Sequence, residues 1–65
     1  MTKRERMPKA KWAHLNEQSY MVSRDRQRHG KVVRAWNILD GEYIVAEEFE
    51  FESGKVVRLD FENYD

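Results

Sequence analysis

The sequence predicts a mainly β, small α+β fold: an antiparallel meander of three to four strands with a short N-terminal helix. Three observations predict it. Two turn signals, Asp40-Gly41 and Ser53-Gly54, divide the stretch from Lys31 to Phe61 into three segments. Those segments are rich in Val, Ile, Phe, Tyr and Trp, which favour strands. Between Glu42 and Glu52, apolar and acidic side chains alternate with the strand period of two. If such a sheet curls, part of it closes into a small barrel.

The segment from Lys31 to Leu39 carries Val32, Val33, Trp36 and Ile38. A two-residue turn centred on Asp40-Gly41 pairs Ile38 with Tyr43, Trp36 with Val45, Arg34 with Glu47 and Val32 with Phe49. Three apolar pairs and one ion pair then share a face. At the second turn, a two-residue loop scrambles the faces. A three-residue loop, Glu52-Ser53-Gly54 with Gly54 in the left-handed region, pairs Phe49 with Val57, Val45 with Phe61 and Glu48 with Arg58. The predicted core face is Val32, Trp36, Ile38, Tyr43, Val45, Phe49, Phe51, Val57, Leu59 and Phe61. Val33, Ala35, Leu39, Ile44, Ala46 and Val56 fall on the other face with Glu42, Glu48, Glu50, Arg58, Asp60 and Glu62.

The run Glu52-Ser53-Gly54-Lys55-Val56-Val57 resembles the terminal hairpin of cystatin-like α+β barrels, including polyketide-cyclase-like proteins. It covers about a tenth of the chain and consists mostly of turn chemistry. Those barrels are considerably longer than this chain, and no residue role is carried over.

The first half reads differently. Residues 1–7 are a basic arm with little apolar content, expected to be flexible, and residues 8–65 a single small domain. Pro8 suits the first position of a helix extending to about Gln18. Trp12 and Leu15 make a stripe that would cover the sheet. Base stacking is the alternative role for Trp12. Ser19 to Arg26 reads as a first strand carrying Tyr20, Met21 and Val22, followed by a basic loop to Lys31. A three-residue turn sets Tyr20 opposite Ile38 and Val22 opposite Trp36. A two-residue turn sets Asp25 against Arg34.

Composition narrows the functional classes. The 65 residues contain no Cys, so disulfides and thiolate metal sites are excluded. No apolar run approaches the ~20 residues of a membrane span. The basic N-terminus has no apolar stretch behind it, so the expected setting is the cytoplasm. Net charge is zero, yet residues 1–34 hold ten Lys/Arg and three Asp/Glu, and residues 35–65 hold two and nine. Such a split points to a charged partner, to self-association, or to two halves that neutralise each other in the fold.

No motif assembles an acid, base, nucleophile, metal set or phosphate loop. His14 and His29 have no acid at metal spacing, and the three glycines are isolated turn residues. A non-enzymatic protein without a cofactor is expected. The leading expectation is a protein-interaction module or regulator. Its partner is another protein or a second copy, contacted through the mixed acidic and apolar sheet face (Ile44, Glu48, Glu50, Arg58, Asp60). The bland reading of the row Glu48, Glu50, Glu52 is a solvated strand face that resists aggregation. The alternative is a nucleic-acid-binding protein. It would grip phosphates through Lys3, Arg4, Arg6, Lys9 and Lys11 and through the 24–31 segment with Arg24, Arg26, Arg28 and Lys31.

Overall fold

A computed structural model of the chain describes residues 1–17 and 22–61. Its elements run β1 (Thr2–Arg6), α1 (Lys9–Trp12), a 3₁₀ turn (Ala13–Asn16), α2 (Ser23–His29), β2 (Val32–Asp40), β3 (Tyr43–Phe51) and β4 (Val56–Asp60). The four strands form one open antiparallel sheet in the order β1-β2-β3-β4, a meander with β1 and β4 at its edges. The helical segments lie on one face.

The β3–β4 hairpin has the register read from the sequence. Glu48 lies opposite Arg58 and Phe49 opposite Val57. The Phe51 N–H donates to the Lys55 carbonyl at 2.9 Å, which leaves Glu52, Ser53 and Gly54 as the loop. Gly54 has φ 94°, a conformation that side-chain-bearing residues rarely take.

The β2–β3 hairpin departs from expectation. Asp40 pairs with Tyr43, so Gly41 and Glu42 are the central turn residues. One residue further, Leu39 pairs with Ile44 and Ile38 with Ala46, which makes Val45 a bulge. A second irregularity leaves Val33 unpaired between Val32 and Arg34. An extra residue in one strand moves every later side chain on it to the other face. Trp36 and Ile38 therefore leave the predicted core face, and Ala35 replaces them, fully buried, with α1 packed against β2. Tyr43, expected inside, is 76% exposed. Arg34 pairs with Glu50 at 3.0 Å rather than with Glu47.

The core joins Val32, Ala35, Phe49 and Phe51 of the sheet to Met7, Trp12, Leu15 and Val22 of the helical layer. Val57 and Leu59 pack at its margin. Trp12 and Leu15 thus cover the sheet as their spacing suggests, on a single α-turn that continues as 3₁₀. Pro8 stands just before the helix in extended conformation, φ −60° and ψ 145°. The Asn16 side chain finishes the layer. Its Nδ2 donates to the Val32 carbonyl at 3.0 Å and its Oδ1 accepts from the Val32 N–H at 2.8 Å. One amide thus satisfies both backbone groups of Val32, which sits beside the bulge.

Two N-terminal expectations are corrected. The basic segment expected as an arm is the edge strand β1, with Arg4 opposite Ile38 and Arg6 opposite Trp36. It occupies the place beside β2 that the sequence reading assigned to Ser19–Arg26. The buried Met7 anchors it, donating its N–H to the Ala35 carbonyl at 2.8 Å. The segment expected as strand and basic loop is helix α2, with Val22 buried at its entry and His29 resting near the Phe51 ring. Asp25 in its first turn and Arg26, Arg28 and His29 in its last turn suit the helix dipole. Ser19, Tyr20 and Met21 lie outside the described residues, as do the last four.

Gly30 closes α2 with φ 88° and ψ −165°, a region open essentially to glycine alone. A Cβ there would lie 2.7 Å from the Glu52 Oε1. That carboxylate accepts the Lys31 N–H at 2.7 Å, and the Ser53 N–H donates to the His29 carbonyl at 3.0 Å. The helix end and the second hairpin loop are locked together.

Candidate interaction surfaces

The register sorts the sheet's side chains. Arg4 and Arg6 of β1, Arg34, Trp36 and Ile38 of β2, Ala46, Glu48 and Glu50 of β3, and Val56, Arg58 and Asp60 of β4 share the face away from the helices. No element among the described residues covers that face. Its centre is Glu48, only 17% exposed. The Arg4 Nε donates to Glu48 at 2.9 Å, and the Arg4 guanidinium stacks 3.7 Å from the Trp36 ring centroid. Arg58 approaches the other Glu48 oxygen at 3.8 Å and binds Asp60 at 2.8 Å. Arg34 and Glu50 complete a charge ladder across all four strands. Beneath it Ile38 and Ala46 are buried. Arg4 lies directly opposite Ile38, and Asp60 directly opposite Ala46.

Of the residues predicted to meet a protein partner, Glu48, Glu50, Arg58 and Asp60 are brought together on this face. Ile44 is not, because the bulge at Val45 turns it to the helical side. There it is 49% exposed and borders a groove of about 290 Å³ with Met7, Pro8, Lys11, Asn37 and Glu47. A recess of about 120 Å³ lined by Met7, Lys11, His14, Leu15, Glu47 and Phe49 lies alongside. Glu47, expected to face Arg34, sits half-buried here. Burial pushes its carboxyl above the usual range, because the charged form is poorly solvated.

The basic residues divide among β1, α1, α2 and the loop after α2. Arg4 and Arg6 lie on the open face, and Lys3 on the helical side of β1. Lys9 and Lys11 lie on α1, and Arg24, Arg26 and Arg28 on α2. Lys9 and Lys31 border one cleft of about 500 Å³ with Trp12, Asn16, Glu17 and Glu52, and none of the α2 arginines lines it. Trp12 is buried in the core, which removes it as a stacking platform. Among the described residues no three His, Asp or Glu side chains gather as a metal site, and no helix is long and apolar enough to cross a membrane.

Sequence reasoning missed the bracing role of Asn16 and the stacking of Arg4 on Trp36. Both join residues at least 16 positions apart, and no local pattern signals them. The fold and surfaces define a class: a small, mainly β protein with one helical face and one charge-laddered face. Comparison with protein-family models, with curated proteins and with solved structures finds no match.

Proposed function

We propose that the chain is a small non-enzymatic protein-interaction module that engages a protein partner, or a second copy, through the charge-laddered side of its sheet. One observation carries this reading. Glu48, Glu50 and Arg58 are held on one sheet face by cross-strand ion pairs, Asp60 is held there by its neighbour Arg58 on the same strand, and no described element covers them. Preordered charges of both signs favour partner selection and orientation over raw affinity. The same reading keeps the chain in the cytoplasm, which fractionation of host cells checks. The test combines sedimentation with capture from host extract at moderate salt. Wild-type protein should self-associate or retain a partner, and a Glu50→Lys variant should lose it. A monomer that retains nothing overturns the reading.

The nucleic-acid reading keeps support from one feature, the shared cleft that Lys9 and Lys31 border. It requires affinity for DNA or RNA that falls steeply with salt. Unchanged affinity after neutralising Arg24, Arg26 and Arg28 together would exclude it.

A further inference from the structure

We propose that the outer edge of β4 is a two-fold pairing edge, and that its partner is β4 of a second copy of this chain. The proposal rests on the interaction-module reading and names the partner. The Phe51 N–H donates to the Lys55 carbonyl, and the Phe61 N–H donates to the Val45 carbonyl at 2.8 Å. In an antiparallel ladder, alternate residues turn both backbone groups to the same neighbour. Residues 55, 57, 59 and 61 therefore face β3. Val56, Arg58 and Asp60 turn their N–H and C=O groups outward, and among the described residues no strand meets them.

An edge of this kind invites another strand unless its side chains forbid it. Three antiparallel self-pairings centre on this strand. Placing Arg58 opposite Arg58 sets like charges together. Placing Val56 opposite Arg58 sets Val57 against Val57 but gives neither Arg58 an opposite charge. Placing Leu59 opposite Leu59 sets Arg58 opposite Asp60 of the second copy, twice by symmetry, and Val57 opposite Phe61, also twice. In that register the outward-turned residues meet as hydrogen-bonded pairs, as the ladder requires. Opposite charges directly across a strand pair are favourable, and so are matched apolar side chains. Arg58 and Asp60 are each about half exposed, at 47% and 46%, so their charges are reachable.

The opposite edge is a built-in control. Met7 bonds to Ala35, so Thr2, Arg4 and Arg6 turn outward on β1. Within Thr2–Arg6, self-pairing about Arg4 sets Arg4 against Arg4 while matching Lys3 with Glu5 twice, self-pairing about Glu5 sets Arg4 against Arg6 twice, and neither brings apolar side chains together. The two edges of one sheet therefore differ: only the β4 pairing matches apolar side chains as well as charges. Closed two-fold pairing through β4 gives a continuous eight-stranded sheet with β1 at both outer edges.

A five-residue ladder makes a small interface, so the dimer should depend on concentration. Sedimentation of the full chain up to about 1 mM should show reversible dimerisation. Arg58→Asp alone and Asp60→Arg alone should each remain monomeric while keeping the β-sheet circular dichroism of the wild type. Mixing those two variants should restore dimerisation, since every charged cross-strand pair then joins an aspartate of one variant to an arginine of the other. A direct readout covers the case in which a charge variant fails to fold. The chain has no cysteine, so Leu59→Cys introduces a single thiol. Facing positions of this type bring Cβ atoms within disulfide reach. Oxidised Leu59→Cys should form a covalent dimer, whereas the exposed control Val33→Cys should not. A wild-type monomer at about 1 mM together with no Leu59→Cys cross-link overturns the proposal. A wild-type dimer that neither cross-links nor responds to the charge exchange also overturns it, while leaving the broader interaction-module reading in place.

Discussion

The two faces of the sheet are held by different physics. On the helical side, Ala35, Phe49 and Phe51 are almost fully buried against Trp12, Leu15 and Val22, and stability there comes from apolar area and close packing. On the other side, Ile38 and Ala46 are equally buried, but their neighbours across the strands are Arg4 and Asp60, on a face laced by arginine–carboxylate pairs. Ion pairs with half-exposed partners contribute little each, about 0.2–1 kcal/mol. The arginine face therefore presents charge without adding much stability. A small domain can in this way keep one face for folding and leave the other for a partner.

Breaking the packed face should give the largest effect. Phe49→Ala should cost about 3–5 kcal/mol, read as a large drop in the urea midpoint. Trp36→Ala, on the arginine face, should cost clearly less; equal losses would mean that the two faces are not different in kind. Next in size is Gly30→Ala, which forces a side chain into a glycine-only conformation and against Glu52. A loss on the order of 1–3 kcal/mol is expected, with hydrogen exchange rising first in the β3–β4 loop. Asn16→Ala leaves both Val32 backbone groups without their partner and should cost about 1–3 kcal/mol.

Smaller effects sharpen the electrostatic half of the comparison. Glu48→Gln should lower stability by about 0.2–1 kcal/mol at low salt, and the difference should shrink at high salt. Arg4 should also become more mobile over Trp36, visible in the indole fluorescence. Glu47 behaves in the opposite sense. Its carboxyl is raised above 4.5 by burial, so the folded state binds its proton more readily than the unfolded chain. Its contribution to stability is present below the unfolded value and lost as pH rises through the raised folded value. Glu47→Gln should therefore raise stability at neutral pH and remove that part of the pH dependence. A variant less stable than wild type at pH 7 would contradict this.

Much of the second half could be read from residues alone. Gly54 at the third loop position, Phe49 opposite Val57 and Glu48 opposite Arg58 follow from turn chemistry and period-two alternation. The first hairpin could not be read the same way. Asp40-Gly41 is a strong turn signal, yet the turn centres one residue later, and bulges at Val45 and Val33 interrupt the alternation. Bulges leave no mark in apolar periodicity, because Val is as good a strand residue paired as unpaired. That shift moved Ile44 away from the residues with which it was grouped and brought Arg34 to Glu50. β1 was hidden for another reason. Thr2–Arg6 has no apolar side chain, and its pairing draws on Trp36, Glu48 and the Met7 anchor.

Local chemistry was enough to settle the mainly β class, the β3–β4 hairpin, and the covering role of Trp12 and Leu15. These depend on neighbours within a few residues. The opposite charges of the two halves were also plain in the sequence, but not their arrangement. Tertiary structure alone decided that the basic N-terminus becomes a strand, that residues 23–29 coil into a helix, and that Arg4, Arg34 and Arg58 meet Glu48, Glu50 and Asp60 on one face. Those outcomes depend on which strand lies beside β2 and on a one-residue slip in register. Both are set by how side chains distant in sequence pack together.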